Sequence, residues 1–264
     1  MTMKYVDIER HGRLAIIRFD RGDGINAMSR RLMTELIEAA RFFDEECETS
    51  AIVVYGAGGN FSFGLDLKDQ ENAKIGEMGL AERRKALQWG PRLCRAFEDL
   101  EPMTFMAIEG FCVGGGAALA VAGDLRIVGE SAVFYVPEIE RGMNMSWQSV
   151  PRFVRLVGPA RTKRIAVMAE KIDSQTALNW GLADEVTETG GALSKALELA
   201  ERVAALPPVP VRMCKQSISM AANALNHAVS FMDMDQFALA QSSEDYREGI
   251  MSFFEKRPPK YRGK

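Results

Sequence analysis

The chain has 264 residues, 47% hydrophobic and 26% charged, with 33 basic against 36 acidic side chains and a net charge of −3. That composition excludes a disordered or collagen-like polymer, and the near balance of charge argues against nucleic acid as a main partner, which needs clustered positive charge. No run reaches the ~18 apolar residues of a membrane helix. The first twelve residues go straight into strand-like alternation, without the basic start and apolar run of a secretory signal. A cytoplasmic protein with no membrane partner is therefore expected.

The arginine and lysine pairs Arg30-Arg31 and Arg83-Arg84-Lys85 have acids close by in the sequence and read as solvated helix faces. Cysteines 47, 94, 112 and 214 show no Cys-x-x-Cys or zinc-like spacing, so packed thiols and no metal are expected. With only His11 and His227 in the chain, the chemistry falls to carboxylates and backbone groups.

In chain order, Tyr5–Arg10 and Leu14–Phe19 read as two strands joined at His11-Gly12. Ser29 can cap a helix in which Leu32, Met33, Leu36, Ile37, Ala40 and Phe43 follow helical spacing. Ala51–Tyr55 is a β-branched buried strand that exits into Gly56-Ala-Gly-Gly59. Met78–Leu100 is a second helical stretch, which Gly90-Pro91 must break or kink. Thr104–Ile108 is a strand leading into Gly114-Gly115-Gly116 and a small-residue helix, Ala117–Ala122. Leu125–Val128 and Ala132–Val136 are further strands. Gly158-Pro159 stops one helix and starts the next. Ser174–Trp180 is a helix ended by Gly181, and Glu185–Val186 returns as strand. Pro207-Pro208-Val-Pro210 marks a boundary, beyond which Val211–Lys256 reads as three helices. An α/β core over 1–206 and a helical piece over 207–264 are thus expected.

The two glycine-rich strand-to-helix turns lack the complete dinucleotide fingerprint and the Gly-Lys-Ser/Thr of a P-loop. Singly, such glycines allow tight turns and close packing. Together, amides exposed at two incipient helix starts could converge as an oxyanion hole.

Phe61-Ser-Phe-Gly-Leu-Asp-Leu-Lys68, Gly110-Phe-Cys-Val-Gly-Gly-Gly-Ala-Ala-Leu-Ala120 and Gly123-Asp-Leu-Arg-Ile127 resemble the signature of the crotonase superfamily, the enoyl-CoA hydratase/isomerase family. The likeness continues through Val136-Pro-Glu-Ile139, Gly158-Pro-Ala-Arg161, Ala177–Val186 and Phe253-Phe-Glu-Lys-Arg257. It implies a superhelix of repeated ββα turns followed by helices that build a homotrimer or a dimer of trimers. It implies an oxyanion hole from the amides of Leu65 and Gly115, with Gly114 beside it. Coenzyme A, entering as part of an acyl-CoA thioester and with no separate cofactor, would lie near Asp66, Leu67 and Lys68. Lys256 matches a basic residue that in several relatives reaches a CoA phosphate in a neighbouring subunit. One departure is that 22–25, before Asn26-Ala27, carries no Lys or Arg.

Hydratases of the family use two glutamates. The first belongs two residues after the glycine triplet, where this chain has Ala118. The second belongs after Pro137 and is present as Glu138. Neighbours Phe134, Tyr135, Val136 and Ile139 suggest apolar surroundings that would raise its basicity. Glu140 could share the role, or be a surface partner of Arg141. A lone base suffices to move a proton between carbons, as in the family's Δ3-Δ2 enoyl-CoA isomerases. A hydratase would need a substitute water-positioning group such as Glu140, Asn144 or Gln148. The polar stretch 144–148 could line a special acyl pocket, or merely supply a Ser146 helix cap and a buried Trp147. Pocket depth would follow from how 65–89, with Gly76 and Gly79, folds over it. A non-catalytic acyl-CoA-binding homologue is the third possibility.

Overall fold

The computed structural model describes residues 3–264; the side chains of Asn72, Ala73, Gly76 and His227 lie outside what is described. β1 (Val6–His11) and β2 (Leu14–Phe19) form a hairpin, α1 (Arg30–Asp44) crosses over, and β3 (Ala51–Gly56) pairs parallel to β2. After α2 (Gln70–Ala73), α3 (Leu80–Ala86) and α4 (Trp89–Glu98) come β4 (Met103–Ile108), β5 (Phe111–Val113) and α5 (Gly115–Ala120). Next are β6 (Leu125–Gly129), β7 (Val133–Tyr135), α6 (Ser149–Ala166), β8 (Ile172–Asp173), α7 (Ser174–Trp180), β9 (Glu185–Thr187) and α8 (Ala192–Ala204). The chain closes with α9 (Pro208–Asn223), α10 (Asn226–Ser230), α11 (Asp233–Gln241) and α12 (Glu244–Glu255).

The large sheet has the order β1-β2-β3-β4-β6-β9, and a small sheet at the side has the order β5-β7-β8. From β2 onward the large sheet is parallel, with Ile52 opposite Thr104 and Phe105 opposite Leu125. Both of its faces are covered, so its strands read as continuous apolar runs. Ile52 and Val54 join the main core with α1 and α4, whereas Ala51 and Val53 face α8. Helix α8 meets the sheet through Ala192, Ala196 and Ala200, all fully buried. That alanine stripe permits close approach, with Leu193, Leu197 and Val203 packed beside it at helical spacing; this helix is not among the elements predicted from the sequence.

Three expectations need correction. The 78–100 helix breaks at Leu87-Gln88, not at Gly90-Pro91, which instead occupies the first turn of α4. There a missing N–H costs nothing, because first-turn amides have no intrahelical partner. Four helices, not three, follow Pro207, since breaks fall near residues 224, 231 and 243; Ser243 caps the last by accepting from Tyr246 N at 3.0 Å. Ser146 caps nothing: Gln148 precedes α6, and Ser149 Oγ donates to Ser146 O at 2.6 Å.

Helix α9 is tied to the core by an ion pair whose lysine is buried. Lys215 Nζ lies 2.7 Å from Asp124 Oδ2 and donates to Pro102 O at 2.7 Å. Among the described residues no helix is long and apolar enough to cross a membrane.

Candidate active site

After β3 the chain runs as an extended strip, 60–66, clamped along both edges. On one edge Phe61 N donates to Glu109 O at 2.9 Å, Ser62 N to Phe111 O at 3.0 Å and Val113 N to Ser62 O at 2.8 Å. On the other, Met28 N donates to Gly64 O at 2.7 Å and Asp66 N to Met28 O at 3.2 Å. The Leu65 amide between those two bonds has no acceptor among the described residues.

The same ladder lays the first glycine turn on the second. A Cβ added to Gly64 would lie 2.7 Å from Val113 O and 3.1 Å from the Gly115 nitrogen, and Gly64 has φ +81°. Only glycine fits such a contact in the left-handed region. Gly114, at φ 50° and ψ −113°, makes the second sharp turn, with its amide donating to Tyr135 O at 2.8 Å. Gly115 then opens α5, and among the described residues its amide too has no acceptor. Unpaired amides at a helix start carry positive partial charge.

Glu138 enters beside the second turn, at the start of a 3-10 turn spanning Glu138–Arg141. A Cβ on Gly114 would lie 2.5 Å from Glu138 Oε1. The other oxygen, Oε2, is sealed from solvent and has no hydrogen-bond partner. Burial raises the pKa of Glu138 to about 7, opposed by a bond to its own backbone amide and by Arg141. Of the expected apolar neighbours, Phe134 and Val136 are fully buried, whereas Ile139 is exposed.

Seven of the eight expected site residues line one cavity of about 480 Å³: Leu65, Asp66, Leu67, Lys68, Gly114, Gly115 and Glu138. Lys256 does not; it ends α12, exposed and with φ 55°. Asp66 is engaged by Arg21, whose Nη1 donates to its Oδ2 at 2.6 Å and to Ala27 O at 2.7 Å. An arginine thus does hold this loop, one residue before the stretch without bases.

Ala118 is fully buried and off the cavity wall. Beside Gly115 stands Trp147 instead, close enough that a Cβ on Gly115 would lie 2.5 Å from the indole Cη2. Glu140 is exposed, accepts from the Tyr135 hydroxyl and lies 3.9 Å from Arg141 Nη1. It is the surface partner of Arg141. Asn144 and Gln148 are off the wall as well; the Gln148 amide donates to Asp233 Oδ2 at 2.5 Å. Glu138 and the Arg21-bound Asp66 are therefore the only carboxylates on this wall among the described residues.

The sequence reading grouped Trp147 with its polar neighbours and did not single it out. Trp147 and Gln148 have φ 60° and 58°, a strained conformation costing ~1–3 kcal/mol per residue. Arg152 holds it, donating from Nη1 to Trp147 O at 3.2 Å and to Gln148 O at 2.9 Å. Arg152 in turn binds both oxygens of Glu98, at 2.9 and 2.6 Å. Left-handed backbone at a bulky residue has no signature in a single sequence. Taken together, two unpartnered amides beside a carboxyl poised near neutrality can hold an oxyanion and move a proton.

A family model for enoyl-CoA hydratase/isomerase matches residues 9–264. Among curated proteins, the chain is 29% identical over 259 residues to a short-chain-enoyl-CoA hydratase of Clostridium acetobutylicum, covering 97% of each chain. Among solved structures, it is similar to a carnitinyl-CoA hydratase from Mycobacterium avium, with TM-score 0.84, 30% identity and full coverage of both chains. An enoyl-CoA hydratase from Mycobacterium avium subsp. paratuberculosis shares the fold at TM-score 0.87 and 21% identity, over 99% of this chain and 100% of that one.

Proposed function

Because the chain belongs to the enoyl-CoA hydratase/isomerase family, we propose that it acts on acyl-CoA thioesters and, more narrowly, shifts the double bond of a 3-enoyl-CoA into conjugation. The observation that carries the narrower reading is the lone Glu138: among the described residues the wall has no second unengaged carboxylate, and Ala118 stands where hydratases carry one.

In this reaction Glu138, as carboxylate, takes a proton from C2. The electrons of the broken C2–H bond delocalise into the thioester, and the amides of Leu65 and Gly115 hold the enolate oxygen. The enolate then collapses with protonation at C4 by the same Glu138. One C–H bond breaks, one forms, and the double bond moves from C3–C4 to C2–C3 with no oxidant or water consumed. A pKa near neutrality suits a group that must be base and then acid. Asp66, Leu67 and Lys68 would border coenzyme A, and Arg141 and Lys171 add further cations to the same wall.

Exposed Val209, Met213, Ile218, Met220 and Val229 on the C-terminal helices, with Phe231 in the turn after α10, support the reading of that region as a subunit contact surface in a trimer, with Lys256 serving a neighbour's CoA.

The test is incubation with 3-enoyl-CoA of several chain lengths, following conjugation by ultraviolet absorbance. Turnover that Glu138→Gln abolishes supports the reading; full turnover by that variant overturns it. The hydratase names of the relatives favour a second reading, in which Glu138 activates water alone. Substantial hydration of crotonyl-CoA, without isomerisation of a 3-enoyl-CoA, would establish it. Failure to exchange α-deuterium in a bound acyl-CoA would favour a non-catalytic binder.

A further inference from the structure

A second cavity, again of about 480 Å³, adjoins the first across Leu65, Asp66, Leu67, Trp147 and Phe237, which line both. The indole is the partition. Its six-membered edge stands over Gly115, and its five-membered edge stands over Gly90, where a Cβ would lie 2.2 Å from Nε1.

The two sides differ in charge. Among the described residues the second wall carries Arg30 from α1, Arg83 from α3 and Arg247 from α12 against one acid, Asp66, which Arg21 engages. The Nε atoms of Arg30 and Arg83 are sealed from solvent and have no hydrogen-bond partner. Arg83 makes one long contact, from Nη2 to Gln241 Oε1 at 3.4 Å. Arg30 has Glu71 Oε2 at 3.8 Å and donates to Ala86 O at 3.4 Å. Burial lowers the pKa of its guanidinium, with Glu71 and Asp69 opposing. Among the described residues neither Arg83 nor Arg247 has an ion-pair partner, and an anion in this cavity would pair with the guanidinium nitrogens that face it. Ile75, Leu87 and Met234 supply apolar wall in the same cavity.

We infer that the second cavity receives the far end of the acyl chain and that this end is a carboxylate. The substrate class is a CoA thioester of a dicarboxylic acid, its free carboxylate paired with Arg83 and its neighbours. A guanidinium matches a carboxylate with two parallel hydrogen bonds. This rests on the proposed function only in placing the thioester end at Glu138.

The test uses intact protein and saturated thioesters, which have no double bond to move, so it reads tail recognition independently of turnover. Calorimetric titration compares matched acyl-CoA pairs of increasing length, one ending in methyl and the other in carboxylate. At the length that spans the partition, the carboxylate form binds about tenfold tighter, and added salt shrinks that ratio. Arg83→Gln brings the ratio toward one, while Arg83→Lys keeps part of it; the exposed Arg247→Gln gives an independent decrease. The inference is overturned if the methyl form binds as well at every length, or if neither Arg83→Gln nor Arg247→Gln changes the ratio. A failure of the isomerase reading would show in the absorbance assay and leave this ratio intact.

Discussion

On the near side of Trp147 the machinery is mostly main chain: the amides of Leu65 and Gly115, positioned by Gly64 and Gly114, with one acid beside them. On the far side it is side chain: guanidiniums from three helices and apolar groups from others. The near side is over-determined, since hydrogen bonds on both edges of 60–66 fix the amides and glycines leave no room for adjustment. The far side is covered by α3, which has no buried residue. Fixed peptide geometry and replaceable side chains divide the labour: reaction chemistry is set on one side of the indole, and acyl preference can change on the other without disturbing it.

The sharpest way to break that division is to remove the acid on the near side. Glu138→Gln keeps the shape and removes the proton carrier, and kcat for a 3-enoyl-CoA should fall about 10⁴-fold. In the unmodified protein, kcat/KM should rise with pH through about 7 and then level off, because the carboxylate is the active form. The stability effect has the opposite sign. The folded pKa lies above the unfolded value, so the folded state binds more protons, and stability falls as pH rises from the ordinary glutamate range through about 7. Glu138→Gln should therefore match the unmodified protein in thermal stability below the ordinary glutamate range, and exceed it by a margin that grows up to about neutrality and is level above it. A variant that gains nothing at high pH would mean that Oε2 is solvated.

The next largest effect belongs to the main chain. Gly64→Ala places a methyl 3.1 Å from the Gly115 nitrogen, on backbone at φ +81°. Displacing one oxyanion donor should lower kcat about 10³-fold while KM moves less. A loss confined to KM would remove the oxyanion role from these amides.

Much of the near side was legible because its residues lie in short contiguous runs. Gly114-Gly115-Gly116 and Pro137-Glu138 read singly as a tight turn and a solvated loop acid, and it is their resemblance to the family signature that gave them roles, whereas the β-branched 51–55 run announced a buried strand by itself. The far side was not. Arg30-Arg31 and Arg83-Arg84 looked like solvated helix faces, and for one member of each pair that holds: Arg31 Nε donates to Glu35 at 2.8 Å and Arg84 Nε to Asp235 at 2.8 Å. The other members have buried Nε atoms on the cavity wall. Successive helical residues point about 100° apart, so each pair serves two environments, and only tertiary packing decides which member turns inward.

The partition itself can be loosened from behind. Arg152 is 2% exposed at its side chain and holds the strained 147–148 turn, while Glu98 neutralises it. Glu98→Ala leaves that cation buried and unpaired, which should cost about 3 kcal/mol in urea unfolding. The selectivity between carboxylate-ended and methyl-ended thioesters should narrow as the indole loses its fixed place. Intact selectivity in a destabilised Glu98→Ala protein would show that the indole is held by Gly90 and Gly115 alone.

The smallest effect is expected where the far side meets solvent. Arg84 and Asp235 join α3 to α11, and the pairing pulls the Asp235 carboxyl below its ordinary value. The arginine side chain is 66% exposed, so water and salt screen the pair and it adds little to global stability. Arg84→Ala should therefore leave the global urea midpoint nearly unmoved. Helix α3, with no buried side chain of its own, depends on such rim contacts for its local order. Amide exchange should consequently quicken at Leu87, whose N–H bonds Arg83 O at 3.0 Å, while amides of β3 and β4 stay protected. A global loss above ~2 kcal/mol would make α3 part of the cooperative core and remove the distinction between a fixed near side and an adjustable far side.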